Sequence, residues 1–360
     1  LDDWDLVVMV PIVDPPDGHR ARALNAAQNM LACTEQSVPW RGSAITPSAS
    51  VGVALWPHQG ATFGELLRRC DAALYDAQAR GGKRIRLYSE SAYLQRADRW
   101  TRIQDLGEAM KQGQLEMHYQ PIHDGRTGGL IGLEGLVRWR QLDGTLILPG
   151  DFVPLAEESD LIMDLGYWTV ATAIEDLGWM ARAGLSTPFL SLNVSPRQLV
   201  GDVFVTQVST LLRNAGIAPG RIHIEITETS LVEGFERTRR LLARMGDAGL
   251  RVYVDDFGVG YSSLSYLREL PIHGLKIDKS FVENIGRTDQ DETVLGTVLK
   301  LADGLGLDII AEGVETTYQK QFLLERDCHR LQGHLFALPM PREALVTYAR
   351  GDYAARLETA

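Results

Sequence analysis

Val254-Asp255-Asp256-Phe257-Gly258-Val259-Gly260-Tyr261-Ser262-Ser263-Leu264 carries an apolar strand into paired carboxylates and then a glycine-punctuated polar turn. Adjacent carboxylates repel, and each loses hydration where a site closes, so protons or cations must compensate them. The glycines let the backbone pass close to a bound group. A solvated turn or a helix cap accounts for an isolated pair equally well, so the decision rests on what the other strands deliver.

Outward from this stretch, short apolar strands alternate with longer helices, the pattern of parallel βα units. Strands are expected at 115–119, 130–136, 189–193, 222–226, 251–255, 274–278, 308–312 and 330–333, with helices at 165–183, 203–215, 236–248, 292–305 and 316–325. Eight strands over roughly 240 residues is the size of a closed (β/α)8 TIM-like barrel. Asp124-Gly125-Arg126-Thr127-Gly128-Gly129 is too short for a crossover helix, so one early strand runs antiparallel. Before a break near 89–104 the texture differs. Strands are expected at 5–10 and 49–55, an amphipathic helix at 63–80 ending at Gly81-Gly82, and an edge strand at 85–88. The expected organisation is therefore α/β: a partial α+β module over 1–90, a linker helix over 91–104 belonging to a helix at 96–111, and the barrel over 105–352.

Composition narrows the function. With 45% hydrophobic and 23% charged residues in 360, the chain is ordinary globular protein, and a net charge of −11 argues against gripping a nucleic-acid polymer. Cys33, Cys70 and Cys328 are few and scattered, suggesting neither a disulfide framework nor a zinc cluster and fitting a reducing cytoplasmic setting. No apolar run of about 18 residues suggests membrane contact by this segment, although a longer, membrane-anchored parent is compatible with it.

Barrel enzymes build their sites at the C-terminal ends of the strands. Glu134, Asn193, Glu225, Asp255, Lys276 with Asp278, Glu312 and Gln332 fall late on seven consecutive strands. Singly each is a cap, an ion pair or a rim residue; together they are hard to explain by packing. Glu134, Glu225, Asp255, Asp256 and Glu312 in one mouth need more positive charge than Lys276 supplies. An all-oxygen set, with the Asn193 amide beside the carboxylates, favours Mg²⁺ or Mn²⁺ over Zn²⁺. Two ions sharing a carboxylate, for which Asp255 is the candidate, clamp the attacking and leaving oxygens of phosphoryl displacement.

Glu134-Gly135-Leu136-Val137-Arg138-Trp139, Leu192-Asn193-Val194-Ser195, Glu225-Ile226-Thr227-Glu228, the Asp255–Leu264 stretch, Lys276-Ile277-Asp278, Glu312-Gly313-Val314-Glu315 and Gln332-Gly333-His334 closely resemble the EAL-domain cyclic di-GMP phosphodiesterases over residues 102–350. The resemblance implies hydrolysis of cyclic di-GMP to linear pGpG with two Mg²⁺ or Mn²⁺ ions. It implies one ion on Glu134, Asn193, Glu225 and Asp255, and the other on Asp255, Asp256 and Glu312. Lys276 would orient the attacking water, Gln332 would support the site, and Glu228 would brace the loop running to Leu264, coupling it to a homodimer surface of the barrel. Gln120, Arg138, Asp278 and Glu315 would contact the substrate.

Three residues depart from that pattern: Gly135 for Ala, Val259 for Thr, and His334 for an aromatic residue. None removes a ligand, and Gly135 is expected to slacken its strand by about 0.5–1 kcal/mol. Ser50-Val51-Gly52-Val53-Ala54, Cys70-Asp71-Ala72-Ala73-Leu74-Tyr75-Asp76-Ala77 and Gly81-Gly82-Lys83-Arg84 resemble the C-terminal half of a GGDEF (diguanylate cyclase-like) domain. Its signature would fall at Asp2-Asp3-Trp4-Asp5-Leu6, where aspartates replace both glycines and would repel a triphosphate. A non-cyclising regulatory region is the expectation. The alternative to an enzyme is a catalytically silent cyclic di-GMP receptor, favoured by Gly135 and that altered signature. His118, His123 and His223 read as satisfied strand histidines, Trp139, Trp168 and Trp179 as core, and Arg237-Thr238-Arg239-Arg240 as a solvated helix face.

Overall fold

The computed structural model describes residues 6–11, 18–34, 37–40, 43–45, 47–79, 82–185, 189–199, 203–228, 231, 235–258 and 264–351. The chain divides into two units, 1–102 and 103–360.

In the first unit, strands β1 (Val38–Trp40) and β2 (Ser43–Ile45) form an antiparallel pair, and β3 (Val51–Val53) pairs in parallel with β4 (Ile85–Leu87) through the helix Phe63–Ala79. Gly52 is required at that crossover, since a Cβ there would meet the backbone of Cys70 and Leu74 at 2.2–2.8 Å. The strand expected at 5–10 is not found. Leu6–Val10 are exposed and pair with no strand among the described residues, and an apolar run without a neighbouring ladder has nothing to hold it as sheet. The signature positions 2–5 lie outside the described residues.

In the second unit, eight strands close a barrel: β5 (Leu115–Asp124), β6 (Leu130–Arg140), β8 (Phe189–Asn193), β9 (Ile222–Thr227), β10 (Arg251–Phe257), β11 (Gly274–Ile277), β12 (Asp308–Ala311) and β13 (Arg330–Leu331). Strand β5 closes it by pairing antiparallel with both β6 and β13, while the remaining neighbours run parallel. The reversal follows from the 124–129 hairpin, where Asp124 N–H donates to the Gly129 carbonyl at 2.9 Å.

Two short strands, β7 (Leu146–Ile147) on β6 and β14 (Met340–Pro341) on β5, and a helix, Pro149–Glu157, were not expected; Pro154 inside that helix interrupts its periodicity. The joining helix runs Glu90–Lys111, longer than expected, and its Leu106 and Ala109 pack with Leu115, Trp139, Phe152 and Leu165 of its own unit.

Side chains alternate across each strand, so every second residue faces the barrel axis. The outward set, among them Leu190, Leu192, Ile224, Val252, Val254, Leu275 and Ile277, joins the helices in the main core. The inward set is layered. Ile122, Phe189, Tyr253 and Ile310 make a separate apolar layer, with His223 stacked between Phe189 (4.1 Å) and Tyr253 (4.7 Å). Polar residues fill the next layer toward the C-terminal ends. The other histidines are also structural: His118 pairs with Glu116 at 2.8 Å, and His123 sits between the Gly128 carbonyl (2.9 Å) and the Tyr348 hydroxyl (3.1 Å). Trp139 is buried and Trp168 and Trp179 pack on the core.

Candidate active site at the barrel mouth

One step along the barrel axis from the apolar layer, β6 presents Glu134, β9 Glu225, β10 Asp255 and β11 Lys276, and Glu312 follows β12 directly. Lys276 is the hub. Its side chain is 1% exposed, and Nζ lies 2.8 Å from Glu225 Oε2, 3.3 Å from Glu134 Oε1, 3.3 Å from Asp255 Oδ1, and against Glu312 Oε1.

A second network positions Glu134. Asn193 Nδ2 donates to its Oε1 at 2.8 Å, and Gln332 Nε2 donates to its Oε2 at 2.6 Å and to Gln120 Oε1 at 2.9 Å. Gln120 Nε2 in turn donates to the Ala337 carbonyl at 3.2 Å. Gln120, expected to contact substrate, therefore has both ends of its amide engaged within the protein, Oε1 with Gln332 and Nε2 with the Ala337 carbonyl.

The paired aspartates depend on a feature that strand periodicity does not announce. Between β10 and β11 the register runs Val254 to Leu275 and then Phe257 to Ile277, so Asp255 and Asp256 together oppose the single residue Lys276. This is a β-bulge. Asp256 takes it up with φ of 54°, in the left-handed region that non-glycine residues seldom visit. Its N–H donates to Asp255 Oδ1 at 3.0 Å. Regular alternation would have turned one of the two carboxylates to the outer face. Gly258 follows with φ of 104°, where a Cβ would meet the Phe281 ring at 2.3 Å, and its N–H donates to Glu228 Oε2 at 2.7 Å. Glu228 thus holds the backbone just after the bulge; residues 259–263 lie outside the described residues.

Asp278 caps the helix Lys279–Glu283, accepting from Ser280 N–H at 3.0 Å. Arg138 is buried, with Nη1 donating to the Val137 carbonyl at 2.9 Å. Glu315, more than half exposed, lies 3.7 Å from His334 Nδ1 at the rim. Sequence reasoning overlooked Ser191, which is buried inside the barrel with Oγ unpartnered. The alternation Phe189-Leu190-Ser191-Leu192-Asn193 carried that signal. Gly135 also differs from expectation: the space of a Cβ is occupied by Leu192 Cδ2 and Met117 Cε, at 2.8 and 2.9 Å, so neighbouring packing takes up the missing methyl.

Electrostatically the mouth is short of positive charge. Burial works against the Lys276 ammonium, yet Asp255, Glu134, Glu225 and Glu312 hold its pKa well above the usual lysine value. Burial together with neighbouring acids pushes Glu225 well up and Glu312 up to about 8, despite Lys276. Asp256 is raised by burial, Asp255 and Asp278. Glu134 is lowered: burial opposes, but Lys276, Gln332 and Asn193 prevail.

Among the described residues no group of His, Cys, Asp and Glu stands in a ready metal-holding arrangement, because the carboxylates converge on the ammonium instead. The donor set nevertheless fits a hard divalent cation. It is all oxygen, and Glu225 Oε1 is buried with no hydrogen-bond partner.

The EAL domain family profile matches residues 103–339, two thirds of the chain. The chain belongs to the EAL-domain family. The profile of the diguanylate cyclase GGDEF domain matches residues 5–84. Among curated relatives of this EAL protein, the cyclic di-GMP phosphodiesterase NbdA of Pseudomonas aeruginosa is 34% identical over 94% of this chain and 43% of its own length. The bifunctional diguanylate cyclase/cyclic di-GMP phosphodiesterase MucR of the same organism is 32% identical, over 95% and 49%. The chain thus spans less than half the length of these relatives. A solved structure of the MucR phosphodiesterase in complex with c-di-GMP superposes with a TM-score of 0.65 at 35% identity, covering 68% of this chain and 99% of that one. The EAL domain of Mycobacterium smegmatis DcpA gives a TM-score of 0.56 at 34% identity, over 66% and 96%. Among the described residues of this EAL protein, no helix is long and apolar enough to cross a membrane.

Proposed function

We propose that this chain hydrolyses one phosphodiester bond of cyclic di-GMP, giving linear pGpG. The observation that carries the reading is the crowd of carboxylates around one buried ammonium, with Glu225 Oε1 left without a partner, in a chain of the EAL family. The names of NbdA and MucR supply the nucleotide. EAL phosphodiesterases are generally metal-dependent, and Glu134, Asn193, Glu225 and Asp255 would hold one Mg²⁺ or Mn²⁺ here, with Asp255, Asp256 and Glu312 holding a second. Such ions supply Lewis acidity toward a phosphoryl oxygen and offset the charge that develops there.

The chain's own residues do the positioning. Lys276, held protonated by its acidic neighbours, acts as a donor and a positive charge that orients the attacking water; it is not a base. Gln332, fixed by Gln120, keeps Glu134 oriented. Glu228 holds the backbone after the bulge, and thereby Asp255 and Asp256, in place. Arg138 and Glu315 flank the mouth as substrate contacts, whereas Asp278 acts through its cap. The GGDEF-like region serves as a non-cyclising regulatory platform, the barrel as the homodimer contact, and the cytoplasm as the compartment.

The test is incubation of the purified chain with cyclic di-GMP and Mn²⁺ or Mg²⁺, with pGpG followed by chromatography. Tight binding without product would replace the enzyme with the receptor reading.

A further inference from the structure

Four carboxylates share the three N–H donors of one ammonium at the mouth. A lysine that only orients a water needs no such crowd. The bulge sets Asp255 and Asp256 together opposite Lys276 in the ladder, with Asp255 against the ammonium and Asp256 exposed, and the ammonium sits on a flexible four-carbon stem that can retract. We infer that Lys276 is the resident cation of the unloaded mouth: its ammonium holds Glu134, Glu225, Asp255 and Glu312 together and competes with the divalent ions that the proposed phosphodiesterase takes up at those same carboxylates. The inference rests on the phosphodiesterase reading for the identity of the competing ions. Two consequences follow. The barrel keeps its carboxylates gathered when no metal is bound, and loading costs the displacement of an ammonium, so occupancy tracks the free divalent-ion concentration instead of saturating at trace levels.

The experiment removes the charge and keeps the stem. In the full chain, Lys276→Met is compared with wild type by calorimetric titration of Mn²⁺ and by thermal unfolding in chelator and in Mn²⁺. Losing a buried competitor this close to the ligands tightens Mn²⁺ binding by at least about tenfold. The unfolding midpoint of Lys276→Met falls in chelator and rises more steeply with Mn²⁺ than that of wild type. Lys276→Arg keeps the charge, and its Mn²⁺ affinity stays within about threefold of wild type. Should Lys276→Met fold only with metal, it is purified in Mn²⁺ and stripped with chelator; loss of far-ultraviolet circular dichroism on stripping is then the expected result. Unchanged or weaker Mn²⁺ binding by Lys276→Met, or metal-free stability equal to wild type, overturns the inference. Product formation by wild type is followed in parallel. Competition without hydrolysis sinks the phosphodiesterase reading alone, and hydrolysis without competition sinks this inference alone.

Discussion

The two ends of the barrel reverse each other's charge ratio. At the C-terminal mouth one cation, Lys276, faces four carboxylates. At the opposite end one carboxylate, Asp308 on β12, accepts at a single oxygen from Arg330 Nη1 at 2.6 Å, the Tyr253 hydroxyl at 2.8 Å and Arg251 Nη1 at 3.2 Å. Against the effect of burial, Arg330 and Tyr253 hold the Asp308 carboxyl below its usual pKa, whereas burial and like charge push Glu225 and Glu312 upward. A cavity of ≈ 1470 Å³ opens at the Asp308 end, lined by Arg251, Asp308 and Arg330 among others, but its central charges already satisfy one another. The mouth does not satisfy itself, and that deficit marks it as the place for cations. Size of cavity and readiness for chemistry are thus separate properties of one barrel.

The sharpest way to break this contrast is Glu134→Ala. Turnover of cyclic di-GMP is expected to fall by roughly 10³-fold, since the change removes both a metal ligand and the anchor of Gln332; retained hydrolysis would refute the ligand assignment. Asp308→Ala should do the reverse. Lost charge-assisted hydrogen bonds lower stability by about 1–3 kcal/mol, toward the lower end because Arg251 and Arg330 are partly exposed. Denaturant titration measures that loss, while turnover at saturating metal stays within a few-fold of wild type.

Acidity separates the ends further. Burial and the neighbouring acids push Glu312 up to about 8 in the folded chain, above the ordinary carboxylate range it has when unfolded. Between those values the folded state keeps a proton that the unfolded state has lost, so metal-free stability falls as pH rises through that window. Glu312→Gln should flatten this slope in chelator, seen as a rise in unfolding midpoint over wild type at pH 8 that vanishes near pH 4.5. An unchanged slope would mean that Glu312 is not the group responsible. Asp308, with its pKa lowered, stabilises at neutral pH, and its contribution is lost only as acid takes the pH down through its folded value. The smallest effect is expected for Gly135→Ala. Its new methyl meets the side-chain ends of Leu192, Met117 and Leu190 and no backbone, so a cost of about 1 kcal/mol or less and unchanged Mn²⁺ affinity are predicted, read by unfolding and by calorimetry.

Much of the barrel was legible in the chain. Strand ends bearing Glu134, Asn193, Glu225, Asp255, Lys276, Glu312 and Gln332 announce both barrel and mouth, because a closed sheet whose strands alternate in twos gathers side chains at one common end into a single layer. The Asp308 cluster was not legible, since Arg251, Asp308 and Arg330 look like ordinary solvated charges at strand starts until the closed sheet brings them together. Gln120 reads as a substrate contact from its motif, and only the reversed β5 reveals that its amide is committed to Gln332 and Ala337. Pro154 hid a helix, and an apolar composition suggested a strand at 5–10, of which residues 6–10 find no partner among the described residues.

The bulge at Asp255 and Asp256 also changes parity. Val254 and Phe257 stand three positions apart, yet both belong to the outer apolar core. A strand counts in twos, and the odd residue lets β10 hand its final aromatic side chain back to the helices after turning its acids toward the mouth. Deleting either aspartate would therefore do more than remove a ligand. It would restore even counting with Phe257 still on the outer face, and so erase the bulge itself, leaving one aspartate opposite Lys276 where two now stand.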